Sequence, residues 1–223
     1  MNPVQLNENL SRFTELGIYG AMLFYAAAFV VMSMNLARAA SEKAKIRATA
    51  GTLETTGVFL IVGAVVLQGI GVIGRGVAVQ RVPWANMYEF TITSTFVAVL
   101  IYAVVQFFRK DIRFIGLLIS GFVTLALGLA TTLWYVQVKT LMPALQSYWL
   151  LIHVTVAILG TAFFNIAAAL SIAYLFKTAK WVQEPSKKLG KSKLFKTFKR
   201  VLALFPTEAK LEQTSYRFNI IGF

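Results

Sequence analysis

The sequence contains no cysteine and a single histidine, and only nine of its 223 residues are acidic. Without cysteine the chain makes no disulfide, no thiolate metal site and no thiol redox chemistry of its own. Charged residues are 14% of the total, well below the roughly 25% of soluble domains. No phosphate loop, GxSxG or HExxH motif occurs. The stretch Gly69-Ile70-Gly71-Val72-Ile73-Gly74 has GxGxxG spacing, but it closes a long apolar run with no strand before it, so a dinucleotide loop is excluded. A cleavable leader is not expected either. Residues 1–15 are polar and include Glu8, Arg12 and Glu15, and the apolar run after them is too long for a signal core.

What remains is hydrophobic. Apolar residues make up 57% of the chain and the mean hydropathy is +0.67. A membrane-crossing helix needs about 20 predominantly apolar residues. Five stretches meet that length or nearly so: Leu16 to Leu36, Thr55 to Ile73, Met87 to Phe108, Phe114 to Tyr135, and Tyr148 to Phe176. The expected fold is all-α, a polytopic membrane helix bundle with about five spanning helices. The net charge of +13 does not indicate nucleic acid as a partner, because the basic residues fall in short blocks between uncharged runs, the pattern of a chain embedded in a lipid bilayer.

Those blocks set a direction. Arg38, Lys43, Lys45 and Arg47 follow the first run, Arg109, Lys110 and Arg113 follow the third, and nine basic residues lie between Lys177 and Arg200. The opposite side carries only Arg12, Arg75, Arg81 and Lys139. Excess Lys and Arg mark the cytoplasmic side, which puts the N-terminus outside. The expected location is the plasma (inner) membrane, or the thylakoid membrane if the chain is plastid-encoded.

Beyond the fifth run, Leu194, Phe195, Phe198, Val201, Leu202 and Phe205 recur at helical spacing between lysines. A cytoplasmic basic amphipathic helix on the anionic leaflet and a solvated basic linker are the two readings of this segment. Pro206 ends it, and Thr207 is the expected N-cap of a last helix. From Tyr216 to Phe223 the sequence reads as the start of a sixth span. A half-made span leaves backbone groups unsatisfied in lipid, so a longer native chain is expected. The resulting organisation is a bundle over 1–176, a basic segment over 177–210 and a truncated span over 211–223.

Three polar groups are expected at membrane depth: Glu89, His153 and Asn165. Ionisable residues there are costly and default to a functional role. His153 lies just inside the outer end of the fifth run, with Trp149 one turn before it on the same face. A neutral imidazole so placed either ligates haem iron or hydrogen-bonds between helices. For Glu89 the ordinary reading is an ion pair with Arg81 or Arg75; for Asn165 it is an interhelical hydrogen bond. Trp84, Trp134 and Trp149 fit an interfacial aromatic belt. Gly57, Gly63, Gly121 and Gly128 are expected at close helix contacts.

Two blocks carry a family resemblance. Val82-Pro83-Trp84-Ala85-Asn86-Met87-Tyr88-Glu89-Phe90 resembles the VPxxNMYEF element of the CcsA/ResC/CcsB group of cytochrome c biogenesis proteins, and Leu145-Gln146-Ser147-Tyr148-Trp149-Leu150-Leu151-Ile152-His153-Val154 is similar to its LQSxWLxxHV element. A weaker likeness runs from Tyr216 to Phe223. The resemblance implies haem as cofactor, handled at the extracytoplasmic face for covalent attachment to apocytochrome c, with a ResB-type membrane partner. It implies His153 as a haem axial ligand and Trp149, Trp84, Asn86, Tyr88 and Glu89 as residues of the cofactor site. The family's tryptophan-rich motif and second external histidine do not occur in these 223 residues, so the chain would form part of a haem-attachment complex and not a complete synthase. The competing readings are a transporter or channel subunit and a structural anchor subunit of a membrane complex.

Overall fold

A computed structural model of the chain describes residues 8–41, 50–109, 112–136, 148–186 and 190–223. Five long helices dominate: α1 (Glu8–Ala39), α2 (Ala50–Val79), α3 (Met87–Phe108), α4 (Ile115–Leu133) and α5 (Tyr148–Thr178). Each is long and apolar enough to cross a membrane. Among the described residues there is no strand. The chain is a multi-pass helical membrane protein.

Helices α1 and α2 extend several residues past the apolar runs at both ends. Run length measures hydrocarbon thickness, whereas a helix continues wherever its backbone bonds remain satisfied. The extension matters at Arg75, which belongs to α2 and not to the loop after it. Small residues let α1 and α2 approach closely. Gly17 packs on Leu67 O and Gly71, and a Cβ added at Gly71 would lie 2.7 Å from Ile18 Cδ1 and 3.0 Å from Thr14 O. The GxGxxG spacing thus serves helix contact. Gly57, Gly63 and Gly121 are likewise crowded, by Met32, Phe24 and Phe29. Gly128 is not: its nearest neighbour, Met22 Cε, is at an ordinary 3.9 Å.

The bundle also buries polar groups that hydropathy conceals. Gln68 is fully buried. Its Oε1 accepts from Tyr25 (2.7 Å), and its Nε2 donates to Ile92 O (3.0 Å) and Thr95 Oγ1 (2.9 Å), tying α1, α2 and α3 together. Gln106 is equally buried, and its side-chain amide has no partner. Asn165 departs from expectation: among the described residues it makes no side-chain hydrogen bond, and it borders a small groove between α3, α4 and α5. Thr95, on the same groove, is already engaged with Gln68 and Thr91 O.

After α5 come a single turn, α6 (Lys180–Gln183), then α7 (Lys193–Ala203) and α8 (Glu208–Gly222). The amphipathic helix is present over a shorter span than the apolar stripe suggested; residues 187–189 lie outside the described residues. Phe195 and Leu202 turn inward, and Trp181 stacks on Phe198 (5.8 Å, 12°). Leu194 points away, 82% exposed among lysines, because it is one position off the Phe195, Phe198, Leu202 face. Thr207 stands at the N-cap of α8, but its side chain makes no capping bond. The turn is held instead by Lys177, whose Nζ donates to Phe205 O (2.9 Å) and Pro206 O (2.7 Å). Helix α8 then runs back along α5, from the Ser171–Ser215 hydroxyl contact (2.7 Å) to Gly160, where an added Cβ would meet Gly222 O at 2.9 Å.

Candidate functional site

The α2–α3 connection is built around one carboxylate. Helix α2 ends in a Schellman turn: Arg81 N donates to Gly76 O (3.1 Å) and Gln80 N to Val77 O (3.2 Å), with Gln80 at φ 54°. That reversal returns Arg81 toward the start of α3. There Asn86 is the N-cap, its Oδ1 accepting from Glu89 N (2.8 Å). Glu89 reaches back to accept from Ala85 N (3.1 Å), a reciprocal cap one residue longer than the usual box. The carboxylate also takes Arg81 Nη1 on Oε2 (2.8 Å) and Arg75 Nε on Oε1 (3.2 Å). Glu89 is 0% exposed and the Arg75 side chain 2%. Buried charges persist when paired and hydrogen-bonded, and the N-terminus of α3 adds favourable dipole. Both ion pairs considered for Glu89 are therefore made.

Arg75 extends this knot to the next loop. Its Nη2 donates to Val136 O (2.7 Å), and its guanidinium lies 5.4 Å over the Tyr88 ring. Tyr88 meets Tyr135 edge-on (5.3 Å, 72°), and the Tyr135 hydroxyl donates to Glu15 of α1. Burial, followed by the Glu15 hydrogen bond and charge, pushes the Tyr135 hydroxyl up to about 12. Thr93 Oγ1 donates to Pro83 O (2.7 Å), pinning the loop at the residue before the half-buried Trp84.

His153 has an opposite setting. No residue from Tyr148 to Ala157 is buried; the first buried position of α5 is Ile158. Tyr148, Trp149, Ile152 and Val156 are 85, 78, 54 and 63% exposed. His153 lies among them, exposed, and among the described residues its imidazole makes no hydrogen bond. The interhelical hydrogen bond considered for it is thus not made to any described helix. Helix α8 covers α5 only as far as Gly160, seven residues or about 10 Å short of His153.

The six site residues thus fall into two groups. Asn86, Tyr88 and Glu89 join in one network through Arg75, and Trp84 lies on the loop that leads into it. Trp149 and His153 lie one turn apart on an exposed stretch of α5. No hydrogen bond or ion pair joins His153 to the first group. The Glu15, Tyr135 and Val136 members went unforeseen; Val136 contributes only a backbone carbonyl, which no residue type signals.

The sequence profile of the cytochrome c assembly protein family matches residues 84–223, more than half of the chain. The chain belongs to that family. Among curated proteins it is similar to the cytochrome c biogenesis protein CcsA of Phaseolus vulgaris, 31% identical over 126 residues, which cover 55% of this chain and 38% of that protein. With CcsA of Glycine max it is 32% identical over 124 residues, 54% of this chain and 37% of the relative. With CcsA of Coffea arabica it is 34% identical over 99 residues, 43% and 30% of the two chains. The matched part thus spans less than two fifths of these relatives' length. The family match holds Glu89, Trp149 and His153 but begins after Arg75 and Arg81, so the carboxylate lies within it and both its cationic partners outside.

Proposed function

We propose that this cytochrome c assembly family member holds haem at the end of the bundle that carries Glu89 and His153, for attachment to apocytochrome c. The observation that carries the reading is His153, the sole histidine, exposed and without a hydrogen bond among the described residues, on a stretch of α5 that has no buried position. A buried neutral histidine normally hydrogen-bonds both ring nitrogens; this one keeps its lone pair for a ligand. A planar apolar macrocycle suits the surrounding surface, with Trp149 one turn away to lie against it. Haem, when bound, supplies the vinyl groups to which the thiols of apocytochrome c are joined.

The chain's own part is positioning. His153 would ligate iron, and Trp149 would orient the ring. Asn86, Tyr88 and Glu89 would act by holding the loop that carries Trp84, since the Asn86 carbonyl, the Glu89 carboxylate and the Tyr88 ring already have partners within the protein. With no cysteine and no second histidine in these residues, thiol reduction and any second imidazole come from elsewhere, a ResB-type partner among the sources. The concentration of basic residues at the opposite end supports an extracytoplasmic position for this end, in the inner membrane or, for a plastid-encoded chain, the thylakoid.

Haem titration into the detergent-purified protein tests this. A Soret band is expected from the wild type, lost in His153→Ala and restored by added imidazole, and weakened in Trp149→Ala. A Soret band unaffected by His153→Ala would overturn the assignment.

A further inference from the structure

The opposite end of the bundle holds a cavity of about 540 Å3, bounded by α1, α2, the start of α4 and the α7–α8 connection. Its volume is that of a small-molecule site. Met32, Leu36, Leu117 and Leu204 form apolar walls, while Glu54, Arg113 and Lys210 bring charge to it. Two cations and one carboxylate leave the lining formally at +1.

Arg113 is the informative residue. Its backbone is fixed by Tyr102, whose hydroxyl donates to Arg113 O (3.1 Å). Its side chain is 24% exposed and uses only Nη1, on Glu54 Oε1 (3.1 Å). Nε is buried without a partner, and Nη2 donates to no described residue. Asn35 Oδ1, on the same lining, is buried without a hydrogen-bond partner. Polar groups left without partners beside a cavity call for a ligand that supplies them, and an unfilled guanidinium fork matches phosphate geometry. A water-borne anion would gain nothing from the four aliphatic walls. An anion carrying acyl chains would, and this end of the bundle lies where spanning helices leave the hydrocarbon.

We propose that this cavity binds the phosphate-bearing head of an anionic phospholipid, with Arg113 Nη2 on the phosphate. The site is independent of haem at the other end and stands or falls separately. Glu54 opposes binding by its charge, while Arg113 supports it.

Native mass spectrometry of the full chain, with dioleoyl phosphatidylglycerol against dioleoyl phosphatidylcholine, reads the preference directly. The wild type is expected to retain one phosphatidylglycerol molecule preferentially. Loss of a charge-assisted hydrogen bond predicts about a tenfold weaker preference in Arg113→Gln. Glu54→Gln removes the same ion pair but keeps the cation, and is expected to bind as well as or better than wild type. Leu117→Trp fills the cavity without touching charge and should abolish retention, which keeps the test decisive if Arg113→Gln fails to fold. Surface lysines of α7 contribute equally in all variants. An unchanged preference in Arg113→Gln or Leu117→Trp, or a loss in Glu54→Gln matching that in Arg113→Gln, would overturn the proposal. Equal binding of free glycerol 3-phosphate would also overturn it, by reassigning the site to a soluble anion.

Discussion

Glu89 and His153 are both ionisable residues near a helix end in a hydrophobic chain, yet their surroundings are opposite. Glu89 has no exposed surface, and both its oxygens are taken by two arginines and a backbone N–H. His153 is exposed, with no hydrogen-bond partner among the described residues, on ten residues of helix that contain no buried position. An ionisable group whose polar atoms are satisfied internally holds the protein together. One whose polar atoms are not is available to something else. Position within the membrane does not tell these apart; hydrogen-bond satisfaction does.

The comparison breaks most visibly at Glu89. Glu89→Ala leaves Arg75 buried without its counter-charge, an expected loss of about 3–5 kcal/mol that thermal unfolding in detergent would read. The double change Arg75→Leu with Glu89→Leu removes both charges and should recover most of that loss. A loss from Glu89→Ala no larger than that of a surface substitution would mean the knot is not structural.

Tyr135 sharpens the comparison at the knot's edge. Its hydroxyl is held above the ordinary 10.0, at about 12, so the folded state favours the protonated form. The stabilisation it gives is therefore complete below pH 10 and lost as pH rises from 10 through 12. The effect is small because Tyr135 is 38% exposed. Unfolding followed between pH 9 and 12 should show it in the wild type and lack it in Tyr135→Phe. The smallest effect on stability is expected at His153 itself. His153→Ala should stay within about 0.5 kcal/mol of wild type, although it is the change expected to remove haem. A large destabilisation there would place His153 in the scaffold with Glu89.

Much of this was legible in the sequence, and the reasons differ by feature. The five spans were readable because hydrocarbon thickness converts directly into run length, and α3 matches its run end to end. The ion pairing of Glu89 was readable because its partners lie 14 and 8 residues away, across one short connection. The lone histidine and its tryptophan stood out by type and helical spacing. Gln68 was not legible: an amide among apolar residues looks like a minor interruption until Tyr25, 43 residues away, is placed against it. Asn165 misled for the converse reason: Thr95 lines the same groove but is already committed to Gln68 and Thr91 O.

By itself, the sequence determined that the protein is a helical membrane bundle, which of its ends is rich in cations and which side chains could ligate iron. These follow from composition, run length and residue type, all local quantities. Only the tertiary structure decided which polar groups are used and which are left over. It tied Arg75 to Val136 across 61 residues, left His153 bare, and closed a cavity around Arg113 from segments as distant as Asn35 and Lys210. Satisfaction of a hydrogen bond depends on the three-dimensional neighbourhood of both partners, and that neighbourhood exists only once the helices have packed.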